Sequence, residues 1–228
     1  TAEEVLIVER HLRGNKRVKT VQAYCMPIEK QNKEGLRRNK ATGPYRLLFV
    51  GGFSHSPNVD AVKWFCSSIF PDLNRQVDCT LSIVGSHPPQ EIQTLASDSI
   101  KVLGYVDDQR LDALYYESDI AVVPLRFGAG IKGKVIEAFS KCIPVVTTNV
   151  GLQGVTWPEQ LAYVGDEPEE FRQAVLQAIS DLSDSQRSQT ITSNAISYVR
   201  SNFSEESMMN EWSSILRMVA PTEGGTPG

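Results

Sequence analysis

The sequence is poor in the features that announce several chemistries. It holds four cysteines, at 25, 66, 79 and 142, and no C-x-x-C pair. That excludes a zinc ribbon or a disulfide scaffold, and all four read as small core residues in a reducing compartment. Histidine occurs three times, and no His, Cys, Asp or Glu cluster has metal-ligand spacing, so neither a metal nor another resident cofactor is expected. No apolar run reaches the ~18 residues of a membrane span, and the N-terminus, TAEEVLIVERHLRG, lacks a signal-peptide core. Basic residues do not predominate. Against 27 Asp and Glu stand 23 Lys and Arg, a net charge of −4, which is not the basic field of a nucleic-acid binder. No G-x-S-x-G elbow is present.

What is present is a globular composition, 41% hydrophobic over 228 residues. This is room for one large domain, or one domain and a fragment of another. Residues 2–12 have the pattern of an amphipathic helix, closed by Gly14, and 17–22 alternate like a strand. From Glu29 to Pro44 apolar residues nearly vanish, while Lys30, Lys33, Arg37, Arg38 and Lys40 accumulate. This stretch reads as a solvated linker; attraction to an anionic membrane surface is the minor alternative. Residues 1–28 then read as the tail of a separate unit, 45–220 as the main domain and 221–228 as a frayed end.

Within 45–220 the pattern is regular. Apolar segments RLLFVGG, CTLSIVG, IKVLG, DIAVVPL, IPVVTT and LAYV alternate with helical stretches. The first helix is expected over 56–70, with Ser56 as N-cap and Pro57 in its first turn, and the second over 88–96. Three helices, roughly 168–182, 185–201 and 205–219, end the domain. Strands apolar on both faces, each followed by a helix, mean a doubly wound parallel sheet, an α/β fold with extra C-terminal helices. Such sheets bind ligands at the carboxyl ends of their strands. That directs attention to 51–56, 85–88, 104–106, 126–134 and 149–154.

Two of these places carry chemistry. The first strand ends in Gly51 and Gly52 ahead of a helix N-terminus, where backbone N–H groups can approach an anion. The sequence VGGFSHSPN is neither G-x-G-x-x-G nor a Walker loop, and taken alone the glycine pair reads first as a plain tight turn. The second place, PLRFGAGIKGKVIEAFSKCIPVV, is denser in signal. Gly128, Ala129, Gly130 and Ile131 form a loop, and Lys132 and Lys134 bracket a helix start. Backbone donors and two cations there suit a phosphate or diphosphate. In that helix Val135, Ala138, Phe139 and Cys142 share an apolar face, and Lys134, Glu137 and Lys141 a polar one. Glu137 is placed to accept hydrogen bonds from a polyol such as ribose; an exposed i,i+4 pair with Lys141 is the competing reading. His55 and His87 sit at strand ends and read as solvated.

The run Glu137-Ala138-Phe139-Ser140-Lys141-Cys142-Ile143-Pro144-Val145-Val146 resembles the E-A-x-x-x-G-x-P-V-V of retaining glycosyltransferases of the GT-B fold, group 1 or family 4-like. VGGFSHSPNVDAVKWF is similar to that family's first strand and helix, and LGYVDDQRLDALYYESDIAVVPL to its base-binding loop. The resemblance covers about 45–220 and implies the carboxyl-terminal, Rossmann-like half of a GT-B enzyme. Residues 1–28 resemble the end of the amino-terminal, acceptor-binding half. The resemblance implies a nucleotide-diphosphate sugar as donor, held without a metal, with the base at Gly104, Tyr105 and Val106 and the ribose on Glu137. The departing diphosphate would lie against Gly51, Gly52 and the 128–131 loop. The family's Glu-x7-Glu pair has Ala129 in place of its first acid, and its usual Arg and Lys align with Gly52 and Pro57. Some members carry this P-L-R-x-G-A-G-x-K-x-K form, in which Lys132 and Lys134 supply the charge.

The resemblance implies transfer of a hexose with retention to a glycan or lipid-linked acceptor in the cytoplasm or at the inner face of a membrane. The isolated chain is then expected to bind nucleotide but turn over little. Met208, Trp212, Ile215 and Val219 form a stripe on the last helix, which in the family returns to the amino-terminal half and could otherwise pair two copies. A non-catalytic nucleotide-sugar-binding module stays open as an alternative, as does, more weakly, an epimerase or phosphorylase.

Overall fold

The computed structural model describes residues 25–26, 44–156, 160–183 and 185–219. The helix expected over 2–12, the strand over 17–22, the linker to residue 43 and the tail 221–228 lie outside the described residues.

Six strands form one sheet: β1 (Tyr45–Val50), β2 (Cys79–Val84), β3 (Ile100–Gly104), β4 (Ile120–Val123), β5 (Val145–Thr147) and β6 (Tyr163–Val164). They run parallel in the order β3-β2-β1-β4-β5-β6. The described helices are α1 (Ser56–Ser68), α2 (Phe70–Gln76), α3 (Gln90–Gln93), α4 (Asp108–Glu117), α5 (Gly133–Ser140), α6 (Pro168–Ser183), α7 (Ser185–Phe203) and α8 (Glu205–Val219). Right-handed crossovers put α1 to α3 on one face of the sheet and α4 and α5 on the other. The central strands are largely apolar because both faces are covered: Leu47, Leu48 and Phe49 are buried in β1 and all of β4 is buried. Phe171 of α6 meets Trp64 and Phe65 of α1 edge-on, with ring centres 5.8 and 5.7 Å apart, which fixes α6 on the α1 side. At the end of α7, the Phe203 carbonyl accepts from the Met26 N–H at 2.8 Å.

Several boundaries differ from expectation. The first helix does not run through to Phe70. It stops at Ser68, Ile69 leaves helical geometry, and α2 restarts with Pro71 in its first turn. Proline cannot occupy a helix interior, because it lacks the N–H and clashes with the preceding turn. The N-cap of α1 is His55, not Ser56, and no side chain caps it. The helix expected over 88–96 is a single turn. Cys66 and Cys79 are buried, and burial pushes their thiols up to about 12, so they are inert core residues. Cys25 is exposed and Cys142 half-buried, so neither is the core residue expected.

Cys142 lies beyond the end of α5. Its φ is +53°, in the left-handed region. Its N–H bonds Phe139 O at 3.1 Å and that of Ile143 bonds Ala138 O at 3.3 Å, which is the Schellman closure of a helix. Glycine is the residue suited to this conformation. Cys142→Gly is therefore expected to stabilise the protein by about 1 kcal/mol, read as a higher urea midpoint at unchanged slope.

On α8, among the described residues, the exposed large apolar side chains are Met209, Trp212 and Leu216. Of the expected stripe, Met208 and Ile215 are half-buried and Trp212 is exposed, while the Val219 side chain lies outside the described residues.

Candidate functional site

Strands β1 and β4 are neighbours, yet their chains leave to opposite faces, β1 into α1 and β4 into α5. Their carboxyl ends border a crevice, where sheets of this kind hold ligands. Two loops form its rims, Gly51–His55 after β1 and Pro124–Lys132 after β4. Gly128 and Gly130 have φ of 131° and 74°, conformations that side chains resist, so the second loop can turn its backbone toward the crevice.

Lys134, in the first turn of α5, reaches across the crevice to the β1 side. Its ammonium donates to Asn58 Oδ1 and stands 4.7 Å from the centre of the Phe49 ring. Asn58 itself is buried, and its Nδ2 donates to Gly52 O at 2.7 Å. One side chain thus links the glycine turn of β1 to the cation of α5. Burial, and then the charge of Lys132, lower the Lys134 pKa to about 8. Lys132 is the N-cap residue of α5. Its ammonium donates to Gly130 O at 2.5 Å and to Gln153 Oε1 at 3.4 Å.

Glu137 sits one turn deeper and faces α4. It accepts from the Tyr115 hydroxyl at 3.2 Å. Burial raises the Glu137 pKa, opposed by the Tyr115 hydrogen bond and the Lys141 charge; Asp112 and Asp108 push it further up. Tyr115 is almost fully buried and its pKa is raised by burial and by Glu137, so it stays a donor. Lys141 pairs with Asp112 at 2.6 Å. The exposed Glu137–Lys141 pair weighed from the sequence gives way to these two contacts, and the face carrying Lys134 and Glu137 is not a solvated one.

Of the residues singled out from sequence, the structure gathers Gly51, Gly52, Gly128, Gly130, Lys132 and Lys134 around the crevice mouth. Ala129 is exposed in the loop and Ile131 packs against the core. Gly104 ends β3 and Tyr105 and Val106 follow it, two strands from β1 and so about 10 Å away across the sheet. Gly104 O accepts from Gly85 N there at 2.9 Å, and Tyr105 is 76% exposed. His55 and His87 are exposed.

Asn58, Tyr115 and Gln153 were not singled out. Nor was the spacing Gly128-Ala129-Gly130-Ile131-Lys132-Gly133, which reads G-x-G-x-x-G between a strand and a helix, a pattern that seats a pyrophosphate on a helix N-terminus. An open depression of about 510 Å³ adjoins the crevice on the α1 side, where Phe53 and Ser54 of one loop face Phe127 of the other. Among the described residues no group of three or more His, Cys, Asp or Glu is placed to hold a metal ion.

The family described as glycosyl transferases group 1 matches residues 44–181, well over half of the chain. The chain belongs to this family. The match takes in both crevice loops, Asn58 and α5. A Klebsiella pneumoniae protein, described as an uncharacterized 44.6 kDa protein in the cps region, is 25% identical over 174 residues, 72% of this chain and 44% of that protein. Among solved structures, the pneumococcal O-GlcNAc transferase GtfA in complex with UDP and GlcNAc superposes with a TM-score of 0.71 at 14% identity. That match covers 96% of this chain and 44% of GtfA. Sucrose-phosphate synthase from Thermosynechococcus elongatus gives 0.68 at 18% identity, covering 96% of this chain and 57% of the synthase. These likenesses place the fold as one half of a GT-B fold. The group 1 glycosyltransferase chain described here thus spans about half the length of the proteins it matches.

Proposed function

We propose that this chain binds the nucleotide diphosphate of a sugar nucleotide and, with an acceptor held by a second domain, transfers the sugar with retention at the anomeric carbon. The observation that carries the reading is Lys134. An ammonium shut away from solvent, aimed at a glycine turn and bonded to a neutral amide, is costly unless an anion is to meet it.

In transfer, the bond from the anomeric carbon to the departing phosphate oxygen breaks and negative charge grows on the diphosphate. Lys132, Lys134 and the N–H groups opening α5 would stabilise that charge. Glu137, fixed by Tyr115, would accept from the ribose hydroxyls, and the Gly104–Val106 backbone would meet the base. GtfA was solved with UDP, which makes a uridine nucleotide the first to try. A glycan or lipid-linked acceptor would be held by an amino-terminal domain of which residues 1–28 are the end, with 29–44 as linker. The exposed side of α8 is where that domain would join. Alone, the chain is expected to turn over little or no substrate.

Calorimetry at low salt with UDP, GDP, ADP and dTDP tests the donor site. Selective binding of one diphosphate, weakened at least about 100-fold by the double change Lys132→Ala/Lys134→Ala, is the expected result. Binding of none, or binding that the double variant retains, would sink the proposal. Binding without transfer by the complete protein would instead favour a nucleotide-sugar-binding module, the reading that Ala129 supports.

A further inference from the structure

We infer that Asn58 is a positioning residue for the diphosphate site, holding the Lys134 ammonium against the β1 glycine turn while leaving its charge free for an anion. The inference deepens the donor-site reading above and rests on it.

Asn58 is 7% exposed and both ends of its carboxamide are engaged. The NH₂ end donates to Gly52 O at 2.7 Å and the oxygen accepts from Lys134 Nζ. A carboxamide donates to a carbonyl from one end and accepts from an ammonium at the other, and it stays neutral while doing so. Aspartate would fit the same space and accept from Lys134, but its second oxygen would face the Gly52 carbonyl without a proton to share. It would also cancel the lysine's charge. A neutral acceptor fixes direction without neutralising, which is what a cation meant for an incoming anion needs.

The surroundings leave Asn58 as the group that sets this. Phe49 of β1 offers Lys134 a ring face, and Lys132 from the preceding loop repels it. Glu137, one turn along α5, is turned to Tyr115. Asp60 of α1, two residues from Asn58, is held by Arg126. The clamp is also tight: a Cβ on Gly51 would collide with Lys134 Nζ and come within 2.9 Å of Asn58 Cγ.

The test compares Asn58→Asp, Asn58→Ala and the parent chain by two readouts. The first is the titration of Lys134, followed by NMR of ¹³C-labelled lysine in the unliganded protein. The second is UDP affinity by calorimetry between pH 6.5 and 9. Asn58→Asp is expected to move the Lys134 titration upward and to weaken UDP at least about tenfold, the worth of one hydrogen bond to a charged group. Asn58→Ala is expected to lose similar affinity and to lower the thermal midpoint by a few degrees, since it deletes two buried hydrogen bonds. A merely structural asparagine would change the midpoint but leave both the lysine titration and the affinity of the folded variants alone. An unmoved Lys134 titration in Asn58→Asp, or parental UDP affinity in both folded variants, overturns the inference. If the parent binds no diphosphate, the donor-site reading fails, and the lysine titration still decides whether Asn58 governs Lys134.

Discussion

Replacing Lys134 with methionine is expected to weaken diphosphate binding about 100-fold and yet make the protein more stable at pH 7. Methionine keeps the length and flexibility of the side chain and removes the buried charge. The Lys134 pKa lies at about 8 against an ordinary 10.5. Below pH 8 the folded state therefore carries the whole cost of the buried ammonium, about 3 kcal/mol. As pH rises from about 8 to 10.5, the unfolded chain holds the proton that the folded chain has lost, and stability climbs. Methionine removes this cost but leaves Asn58 Oδ1 without its donor, returning about 1–2 kcal/mol. The net gain is about 1–2 kcal/mol, a rise of about 2–6 °C in midpoint at pH 7 that shrinks or reverses near pH 10. Thermal melts at the two pH values check the stability half, and calorimetry the binding half. A loss of stability at pH 7 would mean that the lysine is not held at a cost for function.

The two glycines that close the crevice are expected to separate fold from function. A Cβ on Gly85, at the end of β2, would overlap the carbonyl of Gly51. Backbone cannot swing aside, so Gly85→Ala is expected to destabilise by about 3 kcal/mol and to lose ligand as a consequence. A Cβ on Gly51 would instead strike the tip of Lys134 and the end of Asn58, both side chains. Those can move. Gly51→Ala is expected to cost under about 1 kcal/mol of stability and to lower diphosphate affinity about tenfold by displacing the cation. Urea unfolding and calorimetry on the pair distinguish the cases. Equal loss of stability in both would show that the Gly51 turn, like Gly85, is held for packing alone.

Much of the fold was legible because strand apolarity and glycine punctuation are local. The runs at β1, β2, β4 and β5 declare a sheet covered on both faces, and the glycines after β1, β2 and β4 mark the loops that lead into the next helix. The break at Pro71 was equally local, but the apolar periodicity of Trp64, Phe65, Ile69 and Phe70 runs across it. The site was legible in its loops and not in its contacts. Lys134 finds Asn58 across 76 residues of sequence, and Glu137 finds Tyr115 across 22. Helical periodicity assigns Lys134 and Glu137 to a polar face, but not what that face meets. Only the juxtaposition of β1 with β4 turns it inward. Asn58 carried no signal of its own, since an asparagine after a proline in a first helical turn is ordinary on sequence alone.

The donor site rests on a lysine at the crevice whose charge burial disfavours until a diphosphate meets it. Proton uptake on binding tests it most directly. UDP titrated near pH 8 in two buffers of different ionisation enthalpy reports the protons taken up per nucleotide bound. With Lys134 at about 8 when free, about half of the molecules must gain a proton to meet the anion, so an uptake approaching 0.5 is expected, absent in Lys134→Met. Binding with no uptake, or with the same uptake in the methionine variant, would contradict the account.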